Sequence, residues 1–201
     1  MRDVALASSA LLSHKLGGPS VFPPQPSAIF ADHFIEGGFK QWPTSTGEDR
    51  YRRGLYTFYK RTLVYPTFAT FDGPDRTTCT AKRTRSNTPL QALDTLNDPV
   101  FFEAAGGLAR RATTEISGTT EERLAYVFRL VLSRKPSAAE LHRLLNFYQK
   151  MSVKYEVPDD ANRMIAAAFP IHKPPINQHE LAAWIMVGNA LLNLDEAVSR
   201  E

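Results

Sequence analysis

A single thiol and two carboxylates fall inside the most cationic stretch of this 201-residue chain. Cys79 stands among Arg76, Lys82 and Arg83, and cations beside a thiol lower its pKa and favour the nucleophilic thiolate. Asp72 and Asp75 are close enough in sequence to act as a carboxylate pair in acid and base chemistry. Each feature also has a plain structural reading. A lone cysteine with no histidine or asparagine in a readable motif is a small buried residue. Asp72 in Asp72-Gly73-Pro74 shapes a turn, and Asp75 pairs with a neighbouring arginine. The histidines, His14, His33, His142, His172 and His179, show no His-x-x-x-His spacing, and no metal site is expected from them.

The chemistry most strongly written into the composition is anion binding. From Arg50 to Arg85 there are nine Lys or Arg (Arg50, Arg52, Arg53, Lys60, Arg61, Arg76, Lys82, Arg83, Arg85) against Asp72 and Asp75, a local balance of +7 in a chain whose total is +3. Seven aromatics interleave with them: Tyr51, Tyr56, Phe58, Tyr59, Tyr65, Phe68 and Phe71. Arg76, Lys82, Arg83 and Arg85 form the core of a candidate anion-binding surface. The competing reading lays the long cationic stems over a helical bundle, with their heads paired to acids such as Glu121, Glu122 and Glu140.

The elements that must carry these residues divide the chain in two. Arg2 to Lys15 reads as an amphipathic helix stopped by Gly17-Gly18, with no capping residue in front of it, as expected of a fragment that begins inside an element. Its apolar face is then expected to lie bare. Pro19 to Pro26 holds four prolines and must be extended, either as a packed connector or as a docking groove. Ala31 to Asp49 reads as loop, Arg53 to Thr62 as a short helix, Thr67 to Asp72 as strand or extended chain, and Thr77 to Ser86 as irregular or extended. From Thr88 the signals sharpen. Thr88-Pro89-Leu90-Gln91 is a capping box opening a helix with Leu90, Leu93 and Leu96 on its face, and Asn97-Asp98-Pro99 closes it and starts the next. Thr119 with Glu122 and Ser137 with Glu140 cap two more. A short helix is expected around Met164 to Phe169. A last helix, capped at Asn177 to Glu180, carries Leu181, Trp184, Ile185, Gly188, Leu191, Leu192 and Val198. The fold class is mainly α: an irregular Pro/Gly-rich N-terminal half (1–86) packed on a C-terminal helical bundle (87–201), as one domain.

Several classes are excluded. No apolar run approaches the roughly 18 residues a membrane span needs, and Leu181 to Leu194 is interrupted by Asn189 and Asn193. One cysteine allows neither an internal disulfide nor a Cys-x-x-Cys-His haem attachment. The isolated protein should therefore be colourless; a Soret band that survives denaturation would contradict this.

The segments GGPSVFPPQP, YRRGLYTFYKRT, TFDGPDRTTCTAKRTRSNTPLQALDTLNDPVFFEAA and ELAAWIMVGNALLNLDEAVSRE, taken in order, resemble the later part of a C-terminal domain of unknown function (DUF1553). That domain occurs in large planctomycete-type secreted proteins that also carry a cytochrome c-like module. The resemblance implies an exported or periplasmic protein with haem only in an upstream module, no cofactor in this chain and no established reaction. His14, where the family commonly has proline, and Ile171 to Gln178 depart from the pattern. The expectation is a noncatalytic accessory or interaction domain. Its partners would be upstream domains of the same polypeptide and an acidic polysaccharide, which suits an exported protein better than nucleic acid does. The alternative is part of a hydrolase or redox enzyme completed by upstream sequence, with Asp72, Asp75, Arg76 and Cys79 contributing.

Overall fold

A computed structural model describes residues 1–26, 42–60, 64–74, 79, 81, 86–170 and 177–199. Among them the chain is helical, with no strand: α1 Arg2–Ser8, α2 Pro66–Thr70, α3 Pro89–Asn97, α4 Pro99–Thr114, α5 Thr120–Leu132, α6 Ala138–Lys154, α7 Pro158–Ala168, α8 Gln178–Leu192 and α9 Asp195–Val198, plus 3-10 turns Gly47–Tyr51 and Gly54–Tyr56.

Helix α8 is the axis. It is apolar nearly all round, with Leu181, Trp184, Ile185, Val187, Leu191 and Leu192 buried, so it must be covered on every side. It packs most extensively on α4 and is flanked by α6, α7, α3 and α5. The asparagines that interrupt its apolar run are the points where α3 docks. Asn189 donates to the Leu96 carbonyl at 3.4 Å, and Asn193 accepts from the Thr95 hydroxyl.

The caps expected from the sequence form. Thr88 and Gln91, Thr119 and Glu122, and Ser137 and Glu140 each exchange both bonds of a capping box. Asp98 and Asn177 accept from the amides of Val100 and His179 at 2.8 and 3.0 Å. These reciprocal bonds satisfy amides that the first helical turn leaves without partners. Glu140 is also held by Arg134, which reaches Glu196 as well and so ties α5, α6 and α9 together at the surface.

Six expectations change. Helix α1 ends at Ser8 rather than Lys15, because the chain turns at Ala10 (φ 58°) and runs on beside the 51–58 segment through single parallel bridges, Ser13 with Arg52 and Val21 with Thr57. Its apolar face is covered, since Ala5 and Leu6 are fully buried where α1 packs on α4. Arg53 to Thr62 is no helix in its described part: Gly54–Tyr56 makes one 3-10 turn, then Thr57 joins Val21. Thr67 begins no extended segment, because Pro66 opens α2, and proline suits a first helical position as well as it ends a helix. Helix α7 starts at Pro158 for the same reason, and the last helix breaks after Leu192 before the short α9.

The proline-rich segment is a packed connector. The Pro23 carbonyl accepts from the Trp42 indole at 2.6 Å and the Pro24 carbonyl from the Tyr65 hydroxyl at 2.9 Å. Phe22 stacks on Phe58 at 4.9 Å and meets Trp42 edge-on at 5.1 Å. Extended backbone thus presents carbonyls that a helix would have used internally, and aromatic donors take them.

Candidate functional site

Three arginines organise the N-terminal half from inside. Arg2, on α1, is buried and donates to the carbonyls of Arg52 at 2.7 Å and Arg50 at 3.1 Å. Arg52 is 1% exposed, and its guanidinium is ringed by the carbonyls of Lys15, Gly17 and Pro19 and lies over the Tyr56 ring at 3.8 Å. Gly17 (φ +72°) and Gly18 (φ +88°) make this wrapping possible, because the left-handed turn brings carbonyls round the cation; they are not a helix cap. Arg50 reaches into the bundle and grips Glu103 of α4 with two nitrogens, Nε at 3.0 Å and a shorter contact from the other. Tyr51 donates to the same carboxylate at 2.7 Å. The hydrogen bond to Glu103 pushes the Arg50 pKa up, and burial followed by the Glu103 charge pushes the Tyr51 phenol up.

Over this cluster opens a cavity of about 350 Å³. Leu11, Gly107, Ala168, Phe169 and Pro170 wall it, Tyr51 and Glu103 line its inner side, and exposed Glu48 and Arg110 stand at its edge. Three donors already fill Glu103, so this carboxylate anchors the fold and has little acceptor capacity left for a ligand. A second, shallower groove of about 490 Å³ lies between α5 and the start of α6, bordered by Glu122, Arg129 and Lys135.

A carboxylate pair occurs among the described residues at Asp94 and Asp98; Asp75, the expected partner of Asp72, lies outside them. Asp94 and Asp98 sit one turn apart at the joint of α3 and α4. Burial raises the Asp94 pKa to about 6. Burial, and secondarily the Asp94 charge, raises Asp98 to about 7 against the opposing Val100 amide. A sequence signal existed in the Asp-x-x-x-Asp spacing ending in Asp98-Pro99, but cap residues are normally solvated, so spacing alone could not show the burial.

Arg76, Lys82, Arg83 and Arg85, with Asp75, lie outside the described residues, as do His33 and His172. Asp72 adopts φ 51° and accepts from the Ser86 hydroxyl, so it does shape the turn. Cys79 is free and exposed, which corrects the buried reading. His14 and His142 are exposed, and His179 contacts the Tyr155 carbonyl through Nδ1 at 2.7 Å. No group of three or more metal-ligating side chains occurs among the described residues. No helix among them is long and apolar enough to cross a membrane. Two described cations of the stretch have acidic partners nearby in space: Arg50 pairs with Glu103, and Arg53 approaches Asp3 at 3.9 Å.

A helical chain with internally committed arginines and the motif running from Thr88 through Asp98 to Glu103 defines a class rather than an activity. The protein belongs to the family described as PSD1, protein of unknown function (DUF1553), whose model matches residues 1–148. No curated protein and no solved structure matches the chain.

Proposed function

We propose that this chain is a noncatalytic interaction domain that docks on other modules of an exported polypeptide, its own upstream domains first among them. The observation that carries the reading is the outer face of α3. Leu90, Leu93 and Leu96 are 61%, 58% and 39% exposed, and Leu194, which follows the Asn193 bonded to Thr95, adds another at 40%. Single exposed leucines are ordinary, but three at helical spacing on one short helix make a surface suited to a partner. Leu90→Asp with Leu93→Asp should leave stability within about 0.5 kcal/mol, since both side chains are exposed. The same pair should abolish capture of the upstream segment supplied as a separate protein. Undiminished capture would refute the docking face.

The basic segment is assigned to an anionic polymer. Arg50 and Arg52 are turned inward, and the anion-binding role is proposed for Arg76, Lys82, Arg83 and Arg85 from their clustering in the sequence. Arg83→Ala with Arg85→Ala should reduce retention on a sulfated column and steepen neither unfolding nor aggregation. Unchanged retention together with a loss of several kcal/mol of stability would make these arginines structural. The enzyme alternative draws less support, because Asp72 is engaged by Ser86.

A further inference from the structure

The joint between α3 and α4 holds a set of buried polar atoms that the fold leaves without partners. Asp98 is 2% exposed; its Oδ1 accepts from the Val100 amide, while its Oδ2 is buried and meets no donor. Asp94, one turn earlier, also has a buried Oδ2 with no donor. The two residues are locked together by the Asp98 amide, which donates to the Asp94 carbonyl at 2.8 Å. Bare carboxylate oxygens in such a place are costly, because desolvation of a charge is offset only when donors replace water.

The neighbouring groups do not supply those donors. From α1, Arg2 interacts with Asp98, but its terminal nitrogens are committed to the Arg52 and Arg50 carbonyls and its Nε has no acceptor. Ahead of α2, the Tyr65 hydroxyl is spent on the Pro24 carbonyl. Thr67, 3% exposed, has a buried hydroxyl oxygen with no partner. From α4, Glu103 adds a further negative charge that Arg50 already takes up. Asp3, 3.6 Å from Arg2, is balanced by Arg53 nearer the surface. Asp94, Asp98 and Glu103 therefore face Arg2 and Arg50, and one negative charge remains over.

We propose that Asp94 and Asp98 together hold one proton at neutral pH, and that this proton locks α3 onto α4. The proton cancels the surplus charge and turns one orphaned acceptor into a donor. It requires no cavity, and it tolerates the nearby guanidinium of Arg2 better than a metal cation would. The burial-raised pKa values of about 7 for Asp98 and about 6 for Asp94 agree with a coupled pair of this kind. When the proton leaves, two adjacent desolvated charges repel, and the half-buried Asp94 gains water by letting α3 lift. Helix α3 carries the exposed leucines, so the pair would tune how firmly that face is presented. The inference concerns the joint and stands whatever docks there.

The sign follows from the direction of the shifts. A carboxyl whose folded pKa lies above its unfolded value binds the proton more tightly when native. Stability therefore falls as pH rises from about 4 through about 7, then levels off.

The test titrates the whole chain from pH 4 to 9, following aspartate side-chain carboxyl carbons by NMR alongside amide exchange in residues 88–97, corrected for intrinsic base catalysis. One carboxyl should titrate near neutrality, and α3 protection should drop at least tenfold across that step. Asp98→Asn retains an oxygen for the Val100 amide, so it should remove the step while keeping α3 protected at high pH. Ordinary titration of both carboxyls below about pH 5 would overturn the proposal. So would an Asp98→Asn variant whose α3 is less protected at every pH, the signature of a purely structural cap. Calcium or magnesium chloride that abolishes the titration would assign the site to a cation instead.

Discussion

Replacing Glu103 with alanine should cost about 3–5 kcal/mol, enough to leave many domains of this size only marginally folded. The reason is what remains behind. Arg50 would keep a guanidinium inside the molecule with neither of its bonds to the carboxylate, and Tyr51 would lose its acceptor. A buried charge deprived of its partner costs far more than the pair contributes when intact. Glu103→Leu combined with Arg50→Met should therefore recover most of the loss, because the double change removes both charges and keeps apolar volume. Urea denaturation of the single and double variants measures this directly. A Glu103→Ala protein within 1 kcal/mol of the parent would mean that water reaches Arg50 through the adjoining cavity and that the pair is not an anchor.

Glu103 also shows where a sequence stops being informative. Thr88 with Gln91, Thr119 with Glu122 and Ser137 with Glu140 were legible because a capping box is local: its two bonds join residues three apart, and nothing distant decides them. The helices of the C-terminal half followed, since their apolar spacing matches the faces that α8 buries. Arg50 and Glu103 are 53 residues apart. Their pairing depends on α1 and the 47–51 turn settling over α4, which no spacing rule encodes. The same ignorance of tertiary context extended α1 to Lys15, when the stretch after Ala10 was needed to line the 51–58 segment. It also made Gly17 a helix cap, when its left-handed turn serves to surround Arg52. As for the site, charge composition singled out the basic stretch from Arg50 to Arg85. It could not show that Arg50 and Arg52 build the interior. Asp94 and Asp98 were read only as a helix and its boundary, because burial, not residue type, is what makes them chemically distinctive.

The crossing of α8 on α4 gives the second large effect. Helix α8 lies so near α4 that a Cβ on Gly188 would stand 2.9 Å from the Ala105 carbonyl oxygen and 3.2 Å from its Cα. Both are backbone atoms, so no rotamer change relieves the clash, and the helices must separate. On its other contacts α4 is also tight: at Gly107 a Cβ would meet the Ser9 carbonyl oxygen at 2.7 Å, and at Gly106 it would meet Ala168 of α7. Alanine at 188 should gain up to about 1 kcal/mol of helix propensity. Overpacking should cost about 1–3 kcal/mol, so the clash wins and Gly188→Ala is net destabilising. Gly188→Leu should be worse, since the extra volume enters where Trp184, Ile185 and Leu108 are already fully packed. A second substitution decides the mechanism. Ala105→Gly removes only a methyl group and leaves the obstructing carbonyl in place, so it should not rescue Gly188→Ala. If the double variant regains parental stability in thermal unfolding, side-chain crowding rather than backbone approach sets the α4–α8 distance, and this account of why the axis of the bundle carries a glycine fails.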